Sequence, residues 1–128
     1  MPVRLTEELK AQALAVASLY QPRRDPLLVG SCVWLGEGND IDVVVFVDDA
    51  TIAHDGEPCS TVAYGGMGAY RHGPVNVIAV DDERIWAGWR YAAETMPYAP
   101  KALIEDKAVR VAACENLRET GEKQCPFV

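Results

Sequence analysis

The stretch Leu27-Leu28-Val29-Gly30-Ser31, followed after eight residues by Asp40-Ile41-Asp42-Val43-Val44-Val45-Phe46-Val47, decides the fold that the sequence predicts. The first part reads as a short apolar strand that ends in a turn of small residues. The second part is rich in β-branched and aromatic residues, which favour a central strand. Because its apolar run is nearly continuous after Asp42, we expect burial on both faces, as in an α/β sheet.

Two acids, Asp40 and Asp42, lie at the start of this central strand. Alternate residues of a strand point to the same face, so we expect both carboxylates on one face and Ile41 on the other. Two carboxylates beside the backbone amides of Gly30 and Ser31 can hold a divalent cation against a phosphate. The pattern therefore predicts a phosphoryl-transfer site in which Asp40 and Asp42 are metal ligands and catalytic residues.

The N-terminal part of the chain predicts an amphipathic helix over residues 6–20. Thr6 is a typical N-cap residue, and the glutamates that follow it, Glu7 and Glu8, suit the positive end of the helix dipole. Apolar residues then recur at spacings of four, three and four, which places them on one helical face.

The region after the central strand contains turn residues and a hairpin pattern. Residues 48–66 are polar and rich in turn formers, so we expect an irregular or partly helical excursion there. Residues 67–72 and 75–80 predict two strands of a hairpin that turns at Gly73-Pro74.

Two further helices are expected at the C-terminal end. Asp81 or Asp82 caps the first, which ends at a pair of prolines, and the second runs from about Lys101 to Arg118. The elements together predict one α/β (α+β) domain over residues 1–120, with a small mixed β-sheet of four or so strands flanked by helices. A flexible tail is expected over residues 121–128.

Composition limits the classes of partner. The chain of 128 residues has a formal net charge of −7, which argues against extended nucleic-acid binding. It has no apolar stretch of about 18 residues and no apolar core of a signal peptide, so we expect a cytoplasmic protein that does not bind membranes. The cysteines form no C-x-x-C pair, so we expect free thiols at Cys32, Cys59, Cys114 and Cys125.

Four blocks in this order resemble a known signature. Gly30-Ser31 and Asp40-Ile41-Asp42 resemble the pattern of the nucleotidyltransferase superfamily, the polymerase-beta-like fold. The later segments 70–78 and 106–112 make the chain similar to small nucleotidyltransferase-like proteins that tailed bacteriophages encode, which would place it in the host cytoplasm. The likeness covers roughly residues 27–115.

The resemblance implies a nucleoside triphosphate bound at the turn of Gly30 and Ser31. It also implies that Asp40 and Asp42 hold Mg²⁺ (or Mn²⁺) while a nucleotide passes to an acceptor hydroxyl, whose identity the sequence leaves open. Basic residues would grip the departing pyrophosphate. The further candidates for nucleotide or phosphate binding are Arg71, Asn76, Lys107 and Arg110.

A departure from the family pattern leaves a second hypothesis open. The superfamily usually has a third acid on a later strand, and the matching place here is near Asn76, whose amide cannot accept a proton as a base. Asp81 or Asp82 is a possible replacement. The alternative is therefore a catalytically inactive protein of the same fold, which binds a nucleotide or a protein partner as an inhibitor or antitoxin-like phage factor.

Each site residue also has a purely structural explanation. Asp40 and Asp42 are then solvent-facing acids, and Gly30-Ser31 is a tight turn. Lys107 and Arg110 are then a solvated face of the last helix, where Lys and Arg lie three residues apart.

Overall fold

The computed structural model of the chain describes residues 3–64 and 66–98, with the backbone alone for residues 60–64. The predicted helix over 101–118, which carries Lys107 and Arg110, and the predicted tail lie outside the described residues. No helix in the described part is long and apolar enough to cross a membrane.

The described elements alternate between helices and strands in a way that allows a layered fold. In chain order they are β1 (Val3–Arg4), α1 (Glu7–Ser18), β2 (Leu27–Val29), α2 (Ser31–Leu35), β3 (Glu37–Gly38), β4 (Ile41–Phe46), β5 (Glu57–Tyr64), β6 (Met67–His72), β7 (Val75–Val80) and α3 (Glu83–Thr95), which continues into a 3-10 turn, Met96–Tyr98.

The main sheet has five strands in the order β2-β4-β7-β6-β5. Strands β4 and β7 are parallel, whereas the pairs β2–β4, β6–β7 and β5–β6 are antiparallel. The short strands β1 and β3 pair separately. The predicted mixed α/β sheet flanked by helices is therefore confirmed, with one strand more than the expected four or so.

Helices cover both faces of the sheet, and side chains of β4 enter both layers of core. Val43 and Val45 are fully buried on the face that α1 covers. Val44 is fully buried on the opposite face, where it belongs to the core that includes Trp86 and Trp89 of α3. The near-continuous apolar run of this strand reflects that double burial, as the sequence predicts.

Local signals in the sequence correctly predict four elements, which are α1, the two strands of the hairpin and α3. Helix α1 has Thr6 as its N-cap, whose Oγ1 accepts a hydrogen bond from the Leu9 amide at 3.0 Å. Strands β6 and β7 have the predicted bounds and turn at Gly73, which has φ of +62°. Asp81 and Asp82 were both candidates for the N-cap of α3, and in the structure Asp82 is the N-cap residue.

The prediction of an irregular excursion over residues 48–66 is wrong for its second half, which forms strand β5. In the sheet order β5 follows β6 as the last strand, and the register shifts between Pro58 and Ala63. Proline is tolerated at such a position because an edge strand does not need every amide for pairing. Hence the pairing with β6 outweighs the turn-forming composition of the segment.

The loop between the two signature motifs also contains structure that the sequence does not predict. The backbone amide of Trp34 bonds to the Gly30 carbonyl, which closes the first turn of α2. Gly36 ends this helix with φ of +89°, and β3 then pairs with β1. Cys32 in α2 is fully buried.

A hydrogen-bonded group ties the end of the hairpin to α1 and to the turn before β5. The Tyr20 hydroxyl donates its hydrogen to the Ala53 carbonyl and lies 2.7 Å from His72 Nε2. Because that hydroxyl has only one hydrogen, Nε2 must carry the proton that His72 donates. Gly56 packs so closely on the ring that a Cβ there would lie 2.4 Å from Nε2. This group therefore fixes the entry into β5.

We predict that replacing His72 removes part of the loss of stability below neutral pH. Burial is the largest cause that lowers the pKa of His72, with Asp55 opposing and His54 adding to it. A lowered folded-state pKa gives a stability contribution that is complete above the ordinary value of 6.5 and is lost as pH falls through the folded-state pKa.

His72→Gln keeps an N–H donor for Tyr20 but does not titrate. Urea unfolding between pH 7 and pH 5 should therefore show a shallower decline for His72→Gln than for the wild type. An equal decline in both proteins would exclude His72 as the source.

Candidate functional site

One row of polar side chains crosses the sheet on the same face as α3. Asp42 on β4 pairs with Asn76 on β7, Asn76 pairs with Arg71 on β6, and Arg71 pairs with Glu57 on β5. Directly paired residues of neighbouring strands lie on one face about 4.8 Å apart. The polar row therefore spans four strands. On the other side of Asp42, the residue paired with it on β2 is the apolar Val29.

The Gly30 position is built around the Asp42 carboxylate. A Cβ at Gly30 would lie 2.2 Å from Oδ2 of Asp42, closer than any real contact allows. The backbone of Gly30 has φ of +90° and ψ of 179°, a region that is almost restricted to glycine. Both observations require glycine at this position, and the first places one predicted metal ligand directly against the predicted turn.

Asn76 lies beside Asp42 and acts as its hydrogen-bond donor. Asn76 Nδ2 donates to Asp42 Oδ1 at 3.0 Å, and its Oδ1 accepts from the Cys59 thiol at 3.6 Å. In this orientation the amide nitrogen of Asn76, and not its oxygen, faces the Asp42 carboxylate. The sequence correctly locates Asn76 at the position next to the acid pair.

Asp40 is held by a cation from the row. Arg71 Nη2 donates to Asp40 Oδ2 at 2.8 Å. The Asp40 side chain is 18% exposed, whereas that of Arg71 is 50% exposed. Arg71 therefore lies at the site where the sequence predicts it, but in the described structure its partner is a carboxylate.

The buried thiol of Cys32 in α2 has a raised pKa. Burial is the largest cause that raises the pKa of Cys32, and the charges of Asp42 and then Asp40 raise it further. The thiol therefore stays protonated at neutral pH.

Ser31 is the first residue of α2, and its hydroxyl lies against β3. A Cβ at Gly38 would lie 2.7 Å from Ser31 Oγ and 3.0 Å from the Cys32 nitrogen. Gly30 and Asp42 thus meet as the sequence predicts, whereas the Ser31 hydroxyl faces Gly38 and Asp40 contacts Arg71. The remaining predicted phosphate ligands, Lys107 and Arg110, lie outside the described residues.

Neither Asp81 nor Asp82 replaces the missing acid at Asn76. Both follow the opposite end of β7, and at about 3.3 Å per residue the five residues from Asn76 to Asp81 span roughly 16 Å. Asp81 Oδ2 accepts from the Ala50 amide at 2.8 Å, and Asp82 caps α3. Their positions assign them to loop and helix structure.

The donor atoms of the site suit a magnesium ion that arrives with phosphate. Mg²⁺ is usually held by one or two carboxylates together with substrate phosphates and water. Within residues 3–64 and 66–98, no three His, Cys, Asp or Glu side chains are grouped so that they could hold a metal ion. Asp40 and Asp42 would be the protein ligands of such an ion.

Sequence analysis missed two residues of this site, Glu57 and Cys59. Both lie on β5, where the segment was expected to be irregular, so neither could be assigned to a face of the sheet. The available signal was the short run from 57 to 64 before the next strand. Its alternation is weak, and only pairing with β6 gives it a register.

Comparisons with known proteins identify no relative of this chain. No protein-family model matches it, and searches of curated proteins and of solved structures find no match.

We predict that Gly30→Ala is much more destabilising than Gly36→Ala. Both glycines have positive φ, but nothing lies within 4 Å of a Cβ at Gly36, whereas one at Gly30 meets the Asp42 carboxylate. Gly36→Ala should lower the free energy of unfolding by about 1 kcal/mol. Gly30→Ala should lower it by about 3 kcal/mol or more. Urea unfolding of the two variants provides the measurement.

The contact itself is isolated by repeating Gly30→Ala in an Asp42→Ala background. With the carboxylate removed, the cost of Gly30→Ala should fall by about 1 kcal/mol, because only the backbone strain remains. The same cost in both backgrounds would show that the Asp42 contact does not determine the requirement for glycine.

Proposed function

We propose that this chain is a nucleotidyltransferase-like protein that binds a nucleoside triphosphate with Mg²⁺ and transfers a nucleotide to an acceptor hydroxyl. The observation that carries the proposal is the contact between Asp42 and Gly30, with Asp40 and Arg71 beside it. Carboxylates, a glycine that allows close approach and an arginine are the groups that phosphoryl transfer uses for positioning and charge stabilisation.

The residues of the site have distinct tasks in this proposal. Asp40 and Asp42 hold the cation, which when bound neutralises charge that develops on the transferred phosphoryl group. Gly30 lets the Asp42 carboxylate lie against the turn because it has no side chain. Arg71 binds phosphate oxygens, for which its planar guanidinium has a matching geometry. Asn76 keeps the Asp42 carboxylate oriented through its hydrogen bond.

A second candidate function is nucleotide binding without transfer, or the binding of a protein partner on the same fold. The specific observation in its favour is Asn76 at 3.0 Å from Asp42, in the place where a catalytic acid would be expected. An amide cannot take the proton of the attacking hydroxyl. Phosphoryl transfer depends mainly on positioning and electrostatics, so the loss of a base slows the reaction without requiring that it stop.

We predict pyrophosphate release that depends on both acids. The protein is incubated with each of ATP, GTP, CTP and UTP and with Mg²⁺ or Mn²⁺. Asp40→Asn and Asp42→Asn should each lower the rate by about 100-fold, since each removes a metal ligand. Asp48→Asn is the matched control, because Asp48 is an exposed acid just after β4 that pairs with Arg23 at 3.0 Å.

The same preparation distinguishes the two candidate functions. Pyrophosphate release that survives in both site variants would contradict the proposed site. Calorimetric binding of a nucleotide without pyrophosphate release would support the second candidate. No nucleotide binding by folded protein would exclude a nucleotide site and leave the protein-partner function.

A further inference from the structure

The ion pair between Arg71 and Asp40 has a consequence for the way in which metal reaches the site. Arg71 Nη2 lies 2.8 Å from Asp40 Oδ2, so a cationic group already contacts one of the two predicted metal ligands. A divalent cation that binds to both acids must compete with the guanidinium or displace it. Even without a direct clash, a positive charge a few ångströms away opposes the binding of a second cation.

The hydrogen bond that Asp42 accepts from Asn76 adds no charge, because its donor is a neutral amide. Arg71 brings a positive charge to the same row, and it does so at Asp40. Removing that charge should strengthen the attraction of the acid pair for a free cation.

Arg71 is also in a position to change partner. Its side chain is half exposed, and it lies one residue before the end of β6, next to the hairpin turn. Its cross-strand neighbours are Asn76 and Glu57. When a cation arrives with a phosphate, the cation takes the place of Arg71 beside Asp40, so the exchange leaves neither the carboxylate nor the guanidinium without an opposite charge. Arginine binds phosphate through two parallel hydrogen bonds, which makes phosphate a competitive partner.

We propose that Arg71 is an internal counter-ion that closes the acid pair to a free divalent cation and moves onto phosphate when the cation arrives bound to a polyphosphate. The site would then accept a metal–polyphosphate complex in preference to metal alone. The phosphate half of this inference rests on the proposed function, whereas the counter-ion half rests only on the contact between Arg71 and Asp40.

The counter-ion half is tested by Mn²⁺ binding to nucleotide-free protein, measured by electron paramagnetic resonance of the free ion. Arg71→Gln should bind Mn²⁺ about tenfold more tightly than the wild type, because a nearby positive charge has been removed. Arg71→Lys, which keeps the charge, should stay within about twofold of the wild type. Asp40→Asn in the Arg71→Gln background should abolish the gain.

Arg23→Gln provides a matched control for the loss of an arginine charge. Asp48, the acid that pairs with Arg23 at 3.0 Å, lies just after β4, at the opposite end of that strand from Asp42. Arg23 is therefore an exposed arginine in an ion pair away from the site. Its substitution should leave Mn²⁺ affinity within about twofold of the wild type. Circular dichroism and thermal unfolding establish that each variant is folded. Mn²⁺ affinity in Arg71→Gln equal to that of the wild type would overturn the proposal.

The phosphate half is tested by adding ATP or inorganic tripolyphosphate. Wild-type protein should bind the Mn²⁺ complex of either ligand, and Arg71→Gln should bind it about tenfold more weakly while still binding free Mn²⁺ more tightly. Opposite changes in the two affinities are a result that simple unfolding would not give. If the wild type binds neither polyphosphate while Arg71→Gln still gains Mn²⁺, the proposed function fails and the counter-ion role stands.

Discussion

The close approach of the Asp42 carboxylate to Gly30 is the constraint on which the rest of the structure depends. Gly30 joins β2 to α2, and its backbone conformation is nearly exclusive to glycine. The antiparallel pairing of Val29 with Asp42 brings the two segments together, and the absence of a side chain at Gly30 leaves room for the carboxylate. A larger residue there would displace both the acid and the start of α2. The motif that suggests function is thus also a packing requirement.

Both acids of the site have partners within the protein. Arg71 pairs with Asp40, and Asn76 bonds to Asp42, so each acid has a partner before any ligand arrives. A largely buried carboxylate without such a partner would be costly. These partners make the arrangement compatible with both candidate functions. In the proposed exchange, Arg71 leaves Asp40 when a metal–phosphate complex arrives.

Sequence predicts the parts of this fold that depend on local chemistry. The Thr6 cap and the Gly73 turn each involve residues a few positions apart, and these elements are where the sequence places them. Strand β5 depends instead on pairing with β6, so its composition alone indicates a loop. For the same reason the positions of Glu57 and Cys59 could not be derived.

The sequence predicts which residues belong to the candidate site better than it predicts the contacts between them. The spacing of Gly30 and the two acids predicts that they meet, but the parallel register of β4 and β7 is needed to put Asn76 opposite Asp42. The partner of Arg71 could not be derived either, since the sequence offers many acids and only the geometry selects Asp40. Registers between distant segments thus supply what spacing along the chain does not.

The proposed function requires that a metal-bound nucleotide binds against the junction of Gly30 and Asp42. Paramagnetic broadening of backbone amide resonances by Mn²⁺–ATP measures this directly, because the effect falls steeply with distance from the ion. We predict that the resonances of Gly30, Ser31 and Asp42 broaden first, while those of Ala13 and Ala17, which are buried in the core on the α1 side of the sheet, stay sharp. Broadening centred on α1, or none at the junction of Gly30 and Asp42 while the complex is bound, would contradict it.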